Sequence, residues 1–183
     1  MNSNSSILKI LLLGDKEIGK KEFLNQYIKK GFIKSNKEKD NIVTYFENNE
    51  YEEHFKIAIK EFSENGDKLT YALKDTNGVF ILFDMSDRKS IERLLDYWLI
   101  FIRDSTNYKK DIYVFGIHND KSKPVMTDEK EIDTMIHVSE VKAYFIDLSK
   151  DVNAKKVELF SLFNHTFEKS KQNGAKQKDC SIF

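Results

Sequence analysis

The regular patterning of the chain starts with an apolar run, Ile7-Leu8-Lys9-Ile10-Leu11-Leu12-Leu13, which stops at Gly14. So few polar interruptions predict a strand buried on both faces. Beyond Lys20, the residues Phe23, Leu24, Tyr27 and Ile28 recur at i, i+1, i+4 and i+5 and predict a helix. Gly31 to Asp40 is lysine-rich, lacks periodicity and reads as an exposed loop. Strands are predicted at Ile42–Phe46 and Phe55–Phe62; in the second, Phe55, Ile57 and Ile59 alternate with Lys56, Ala58 and Lys60. Asn48-Asn49 between them predicts an antiparallel hairpin, and Ser63 to Asp67 is a polar, glycine-containing break.

The second half repeats a simpler rhythm. Gly78-Val79-Phe80-Ile81-Leu82-Phe83-Asp84 is a second continuous apolar strand. Ile91, Leu94, Leu95, Trp98 and Ile102 keep helical period, with Ser90 or Asp87 as the cap. Trp98 reads as core. A strand at Ile112–Ile117, a helix near Asp128–Ile136 and a strand at Ala143–Leu148 follow. A last helix turns Val157, Phe160, Phe163 and Phe167 to the sheet. The expected class is therefore α/β: a six-stranded, mostly parallel sheet with one antiparallel strand and helices on both faces. Residues 7–170 form one domain, with residues 1–6 a disordered N-terminus and residues 171–183 a flexible tail.

Composition narrows the partners. Thirty basic residues balance thirty acidic ones, so no global charge draws the chain to nucleic acid. Fourteen Phe and eight Tyr in 183 residues argue for a packed core over disorder. No apolar run approaches the ~20 residues of a membrane span. The polar start MNSNSS is not a signal peptide, and Asn2 stands where myristoylation needs glycine. A cytosolic protein is expected.

Two short motifs carry chemistry. Gly14, Ile18, Gly19 and Lys20 lie in a G-x-x-x-x-G-K pattern between the first strand and its helix. There, glycines let the backbone wrap a phosphate, amides point at it and the lysine adds a point charge. The pattern asks for Ser or Thr next, whose hydroxyl holds Mg²⁺; this chain has Lys21. The second motif is Cys180-Ser181-Ile182-Phe183. Cys-a-a-X is a prenylation signal, and a terminal Phe favours geranylgeranyl. Cys180 is the sole cysteine, behind Lys169, Lys171, Lys176 and Lys178. The expected state is peripheral and reversible: a prenyl transferase substrate held on the cytosolic leaflet by one lipid and a basic patch.

From Ile7 to Phe167 the chain resembles the Ras superfamily of small GTPases, most nearly the Rab branch. LKILLLGDKEIGK and GVFILFDMSDRKSIERLLDYW carry the likeness best, and no room follows Asp120 for the extra helix of the Rho branch. The resemblance implies GTP or GDP as ligand and a membrane-associated switch in vesicle trafficking or signalling, with effectors and regulatory proteins as partners. It places Gly14, Gly19 and Lys20 on the phosphates and Phe32 on the guanine edge. Asp120 falls on the guanine-selecting aspartate, with Ser149 and Lys150 flanking the base.

Other family positions are altered. Asn-Lys-x-Asp becomes Ile117-His118-Asn119-Asp120. His118 either stacks on the base or is an ordinary loop histidine. The third-strand motif becomes Glu61-Phe62-Ser63-Glu64-Asn65; Glu64 replaces the glycine that senses the terminal phosphate, and Asn65 is too short to orient water. Glu61 and Thr44 are the remaining candidates for a metal, and Thr44 is spaced too far from Lys20. Lys16 and Glu17 fill positions usually small, and the Glu17 charge costs phosphate affinity. Mg²⁺ is thus doubtful and GTP hydrolysis weak or absent. Two readings remain open: a nucleotide-binding switch, in which Lys21 neutralises phosphate in place of the metal, and a pseudo-GTPase adaptor that binds no nucleotide.

Overall fold

A computed structural model describes residues 6–24, 32–35, 43–48, 55–62, 67–105, 111–118, 122–126, 130, 132, 134, 136, 141–147, 165, 166 and 168. Among these, seven strands form one sheet: β1 (Ser6–Leu13), β2 (Phe32–Ser35), β3 (Val43–Asn48), β4 (Phe55–Phe62), β5 (Gly78–Asp84), β6 (Asp111–His118) and β7 (Lys142–Asp147). Their order across the sheet is β2-β3-β4-β1-β5-β6-β7. β1 pairs in parallel with β4 and β5, and β6 in parallel with β5 and β7. β3 alone runs against the rest, antiparallel to both β2 and β4.

The sheet thus has seven described strands where the pattern predicts six. The additional one, β2, lies inside the segment read as a loop. Its pairing with β3 supplies what its four residues cannot signal alone: an edge strand is held by its neighbour, not by propensity. A second difference is α2 (Asp67–Lys74), which the pattern left without an element. Only Leu69 and Leu73, one helical turn apart, are buried there, too short a signal to separate from a polar break.

Burial explains the central strands. Leu8, Ile10, Leu11, Leu12 and Leu13 of β1 are all buried, as are Val79, Phe80, Ile81, Leu82 and Phe83 of β5. Both strands are covered on both faces, which is why they read as unbroken apolar runs. Aromatic contacts extend this core to β6: Phe80 lies 5.0 Å from Phe115 and 5.5 Å from Tyr113. Thr166 follows the sheet from the C-terminal end of the chain. It is buried, and its hydroxyl donates to the Tyr113 hydroxyl at 3.3 Å. A Cβ on Gly78 would stand 3.0 Å from the Thr166 methyl group, so this glycine admits the close approach.

The turn from α2 into β5 locks onto β1. Asn77 exchanges two hydrogen bonds with the Lys9 backbone, and the Thr76 hydroxyl donates to the Lys9 carbonyl at 2.7 Å. After β5 the chain is helical in three consecutive pieces: α3 (Arg88–Arg93), a π-helical stretch (Leu94–Leu99) and α4 (Ile100–Ser105). Of the two caps the sequence offers, Asp87 is used; its carboxylate accepts from the Lys89 amide at 3.0 Å. Ser90 instead uses its hydroxyl to accept the Asp84 amide. Helical residues at 130, 132, 134 and 136 fit the predicted helix, with Ile132 and Ile136 buried. Among the described residues no helix is long and apolar enough to cross a membrane.

Candidate functional site

Parallel strands deliver their C-terminal ends to one edge of the sheet, where ligands of open α/β sheets bind. Gly14 leaves β1 there, Asp84 ends β5 and His118 ends β6.

Gly14 is required twice over. Its φ is +143, and a Cβ would meet the Leu82 carbonyl oxygen at 2.6 Å. The loop therefore crosses directly over β5 at a point where only glycine fits. Glu17 follows at φ 63 and Gly19 at φ 91, so the chain coils back on itself before α1 (Lys20–Phe23) begins. Phe23 anchors this turn: it is fully buried, with its ring 5.3 Å from Phe115 of β6.

That anchoring sets the position of Lys20. Its side chain is only 8% exposed. The Nζ donates to the Gly14 carbonyl at 2.8 Å and to the Asp15 carbonyl at 2.6 Å. A buried ammonium is thus held at the mouth of a tight glycine loop, an arrangement that suits a polyphosphate. Ile18 and Gly19 are buried in the loop, while Lys16, Glu17 and Lys21 are exposed.

Asp15 ties the loop sideways. Its Oδ1 accepts from Arg93 Nε at 2.7 Å and from Trp98 Nε1 at 3.3 Å. Sequence reasoning treats Trp98 as plain core. It is core, but its one polar atom serves the loop. Nothing in hydrophobic periodicity links residues 83 positions apart.

The opposite side of the site is held by backbone bonds. The Met85 amide donates to the Ile117 carbonyl and the Met126 amide to the Met85 carbonyl, both at 2.9 Å. Ile117 is itself fully buried. His118 is half-buried, with Nε2 2.9 Å from the Lys123 carbonyl oxygen, so it closes the turn behind β6.

Other candidates lie elsewhere. Phe32 opens β2 opposite Asn48, one step beyond the Glu47–Lys56 pair. Lys56 is level with Ile7, at the far end of β1. Seven residues of strand, about 23 Å at the usual rise, separate that level from Gly14. The structure does not bring Phe32 to the loop. Thr44 is a strand residue opposite Ile59, level with Ile10, short of the loop edge. Glu61 is level with Leu12, nearer that edge. Asn65, Asp120, Ser149, Lys150 and Cys180 lie outside the described residues.

A sequence model of the Ras family matches residues 9–169. The chain belongs to the Ras family. Among curated proteins none matches it. Its domain is that of a small GTP-binding protein, a class that binds GTP and GDP with Mg²⁺ and works with regulators and effectors. The Gly14–Lys20 loop fits the phosphates of such a ligand. The metal fits less well. Lys21, exposed on the first turn of α1, brings a cation where an oxygen is needed. Among the described residues no three His, Cys, Asp or Glu side chains gather to hold a metal.

Proposed function

We propose that the chain is a Rab-like, prenylated small GTP-binding protein that holds GDP or GTP without dependence on Mg²⁺ and hydrolyses GTP very slowly or not at all. The observation that carries this reading is Lys20, buried and held by the carbonyls of Gly14 and Asp15 in a loop whose first residue, Gly14, packs on β5 where only glycine fits. Lys21, one residue on, adds a second cation in place of the metal-binding hydroxyl. Such a protein would act as a switch in vesicle trafficking or signalling, recruited by a lipid on Cys180 to a cytosolic membrane leaflet. Weak turnover follows from the sequence: Glu64 and Asn65 replace the groups that sense the terminal phosphate and place water.

A second reading is favoured by Glu17 and Ile117. Glu17 stands exposed in the loop in a left-handed conformation, and Ile117 buries an alkyl group where the family ties its loops by hydrogen bonds. Both point to a membrane-tethered adaptor that keeps the fold and binds no nucleotide.

The deciding experiment denatures the purified protein and weighs whatever nucleotide is released, then measures melting with excess GDP or GTP. A ligand that binds only the native state raises its melting temperature. Recovered guanine nucleotide or a clear rise supports the switch. Neither, for either nucleotide, leaves the adaptor.

A further inference from the structure

We infer that Arg93 and Trp98 are positioning residues of the phosphate loop, acting on it through Asp15. Asp15 faces two ways. Its carbonyl accepts the Lys20 ammonium at 2.6 Å, while its carboxylate oxygen accepts the Arg93 guanidinium at 2.7 Å and the Trp98 indole at 3.3 Å. The helix after β5 therefore fixes the peptide on which the phosphate-binding cation rests.

The π-helical stretch is what makes this convergence possible. Arg93 and Trp98 are five residues apart, and in a regular α-helix, at about 100° per residue, they would point about 140° away from each other. In π geometry residues i and i+5 are the hydrogen-bonded pair and share a face. The stretch Leu94–Leu99 starts directly after Arg93 and contains Trp98, so both N–H donors reach one oxygen. Arg93 is further oriented by Tyr97, whose ring centroid lies 5.1 Å from its guanidinium carbon. The two anchors differ in kind. Trp98 is 1% exposed and cannot swing away, whereas the Arg93 side chain is 51% exposed and its ion pair is screened by solvent. Trp98 supplies the fixed point and Arg93 the charge that offsets Asp15 beside an anionic ligand.

The nucleotide part of this inference rests on the function proposed above, so the test begins without ligand. In the free protein, Asp15→Ala moves the indole N–H resonance of the sole tryptophan. Trp98→Phe and Arg93→Gln lower the backbone order parameters of residues 15–19 from the rigid value of about 0.85 towards about 0.6. The values in β6 stay unchanged, and Arg93→Lys restores part of the loss. In a second step both variants weaken GDP binding about fivefold, the scale of one modest polar contact. Loop order unaltered in both variants, or lost equally in β6, overturns the inference. Local loosening in a protein that binds neither GDP nor GTP leaves the coupling standing and removes the nucleotide reading instead.

Discussion

Lys20 Nζ donates to the carbonyl of Gly14, the first residue of its own loop, at 2.8 Å. The side chain thus bridges the ends of the turn it belongs to, and in the proposed function the same cation would also meet the ligand. Lys20→Met keeps an apolar stem at this buried position but removes the charge. The two carbonyls lose a charged donor, a cost of about 1–3 kcal/mol. For a chain of this size that lowers the melting temperature by roughly 2–12 °C. The rise with GDP should vanish as well. Retention of that rise would show that phosphate is held without this lysine.

Gly14 allows a sharper number. Gly14→Ala must fit a methyl 2.6 Å from the Leu82 carbonyl oxygen at a φ of +143. Backbone strain of about 1–3 kcal/mol adds to an overpacking cost of similar size, about 1–3 kcal/mol. A fall of about 5 °C or more is expected on calorimetry. A variant as stable as the parent would mean that the loop does not cross β5 this closely.

The proposed membrane role has its own test. Cys180→Ser removes the only thiol, so no thioether can form. In cells the variant should shift from the membrane fraction to the soluble one and lose mass labelling by an isoprenoid precursor. Equal partitioning of variant and parent would end the prenylation proposal and leave the nucleotide site untouched.

How much was legible follows from where information sits in a sequence. β5 runs from Gly78 to Asp84, as its apolar run indicates, and β4 from Phe55 to Phe62. Strands buried on two faces or alternating cleanly write their own boundaries. β2 does not, because Phe32–Ser35 becomes a strand by pairing with β3. The motif singled out Gly14, Gly19 and Lys20, and the structure gathers all three in one tight loop after β1, because a short pattern fixes backbone constraints within seven residues. Phe32 is a different case, because a count of residues from Lys20 cannot foresee an edge strand whose backbone register sets this position level with the start of β1. The clasp on Asp15 was invisible for a different reason. Periodicity presumes one pitch, and the π stretch changes the pitch at the point where Arg93 and Trp98 come together.

Glu17 is an expense the loop carries. Its φ of 63 places a side chain in a region that costs most residues roughly 1–2 kcal/mol. Glu17→Gly removes that strain, though the freer unfolded chain returns about 0.5–1 kcal/mol of the gain. The expected net effect is a small rise in melting temperature, of about 1–4 °C. Removing the carboxylate beside the phosphates should also tighten GDP binding several-fold, more at low salt than at high. Stronger stability with unchanged binding would place Glu17 away from the ligand.

Lys21 is the proposed stand-in for the metal. An ammonium and a hydrated Mg²⁺ both neutralise phosphate, but only the metal is removed by a chelator. In the parent protein, GDP binding measured by calorimetry should be the same in Mg²⁺ and in excess EDTA. Lys21→Ser returns the hydroxyl that the family uses and deletes the cation. Its binding should therefore fall in EDTA by an order of magnitude or so, the factor of about 1.4 kcal/mol, and recover when Mg²⁺ is added. The side chain is exposed, so the exchange should leave the fold intact and the melting temperature of the free protein within about a degree or two. The comparison isolates charge from metal because both proteins keep Lys20, Gly14 and the same loop path. If chelation strips nucleotide from the parent as readily as from the variant, the lysine does not stand in for the metal. The magnesium would then have to be held by oxygens other than a side chain at position 21.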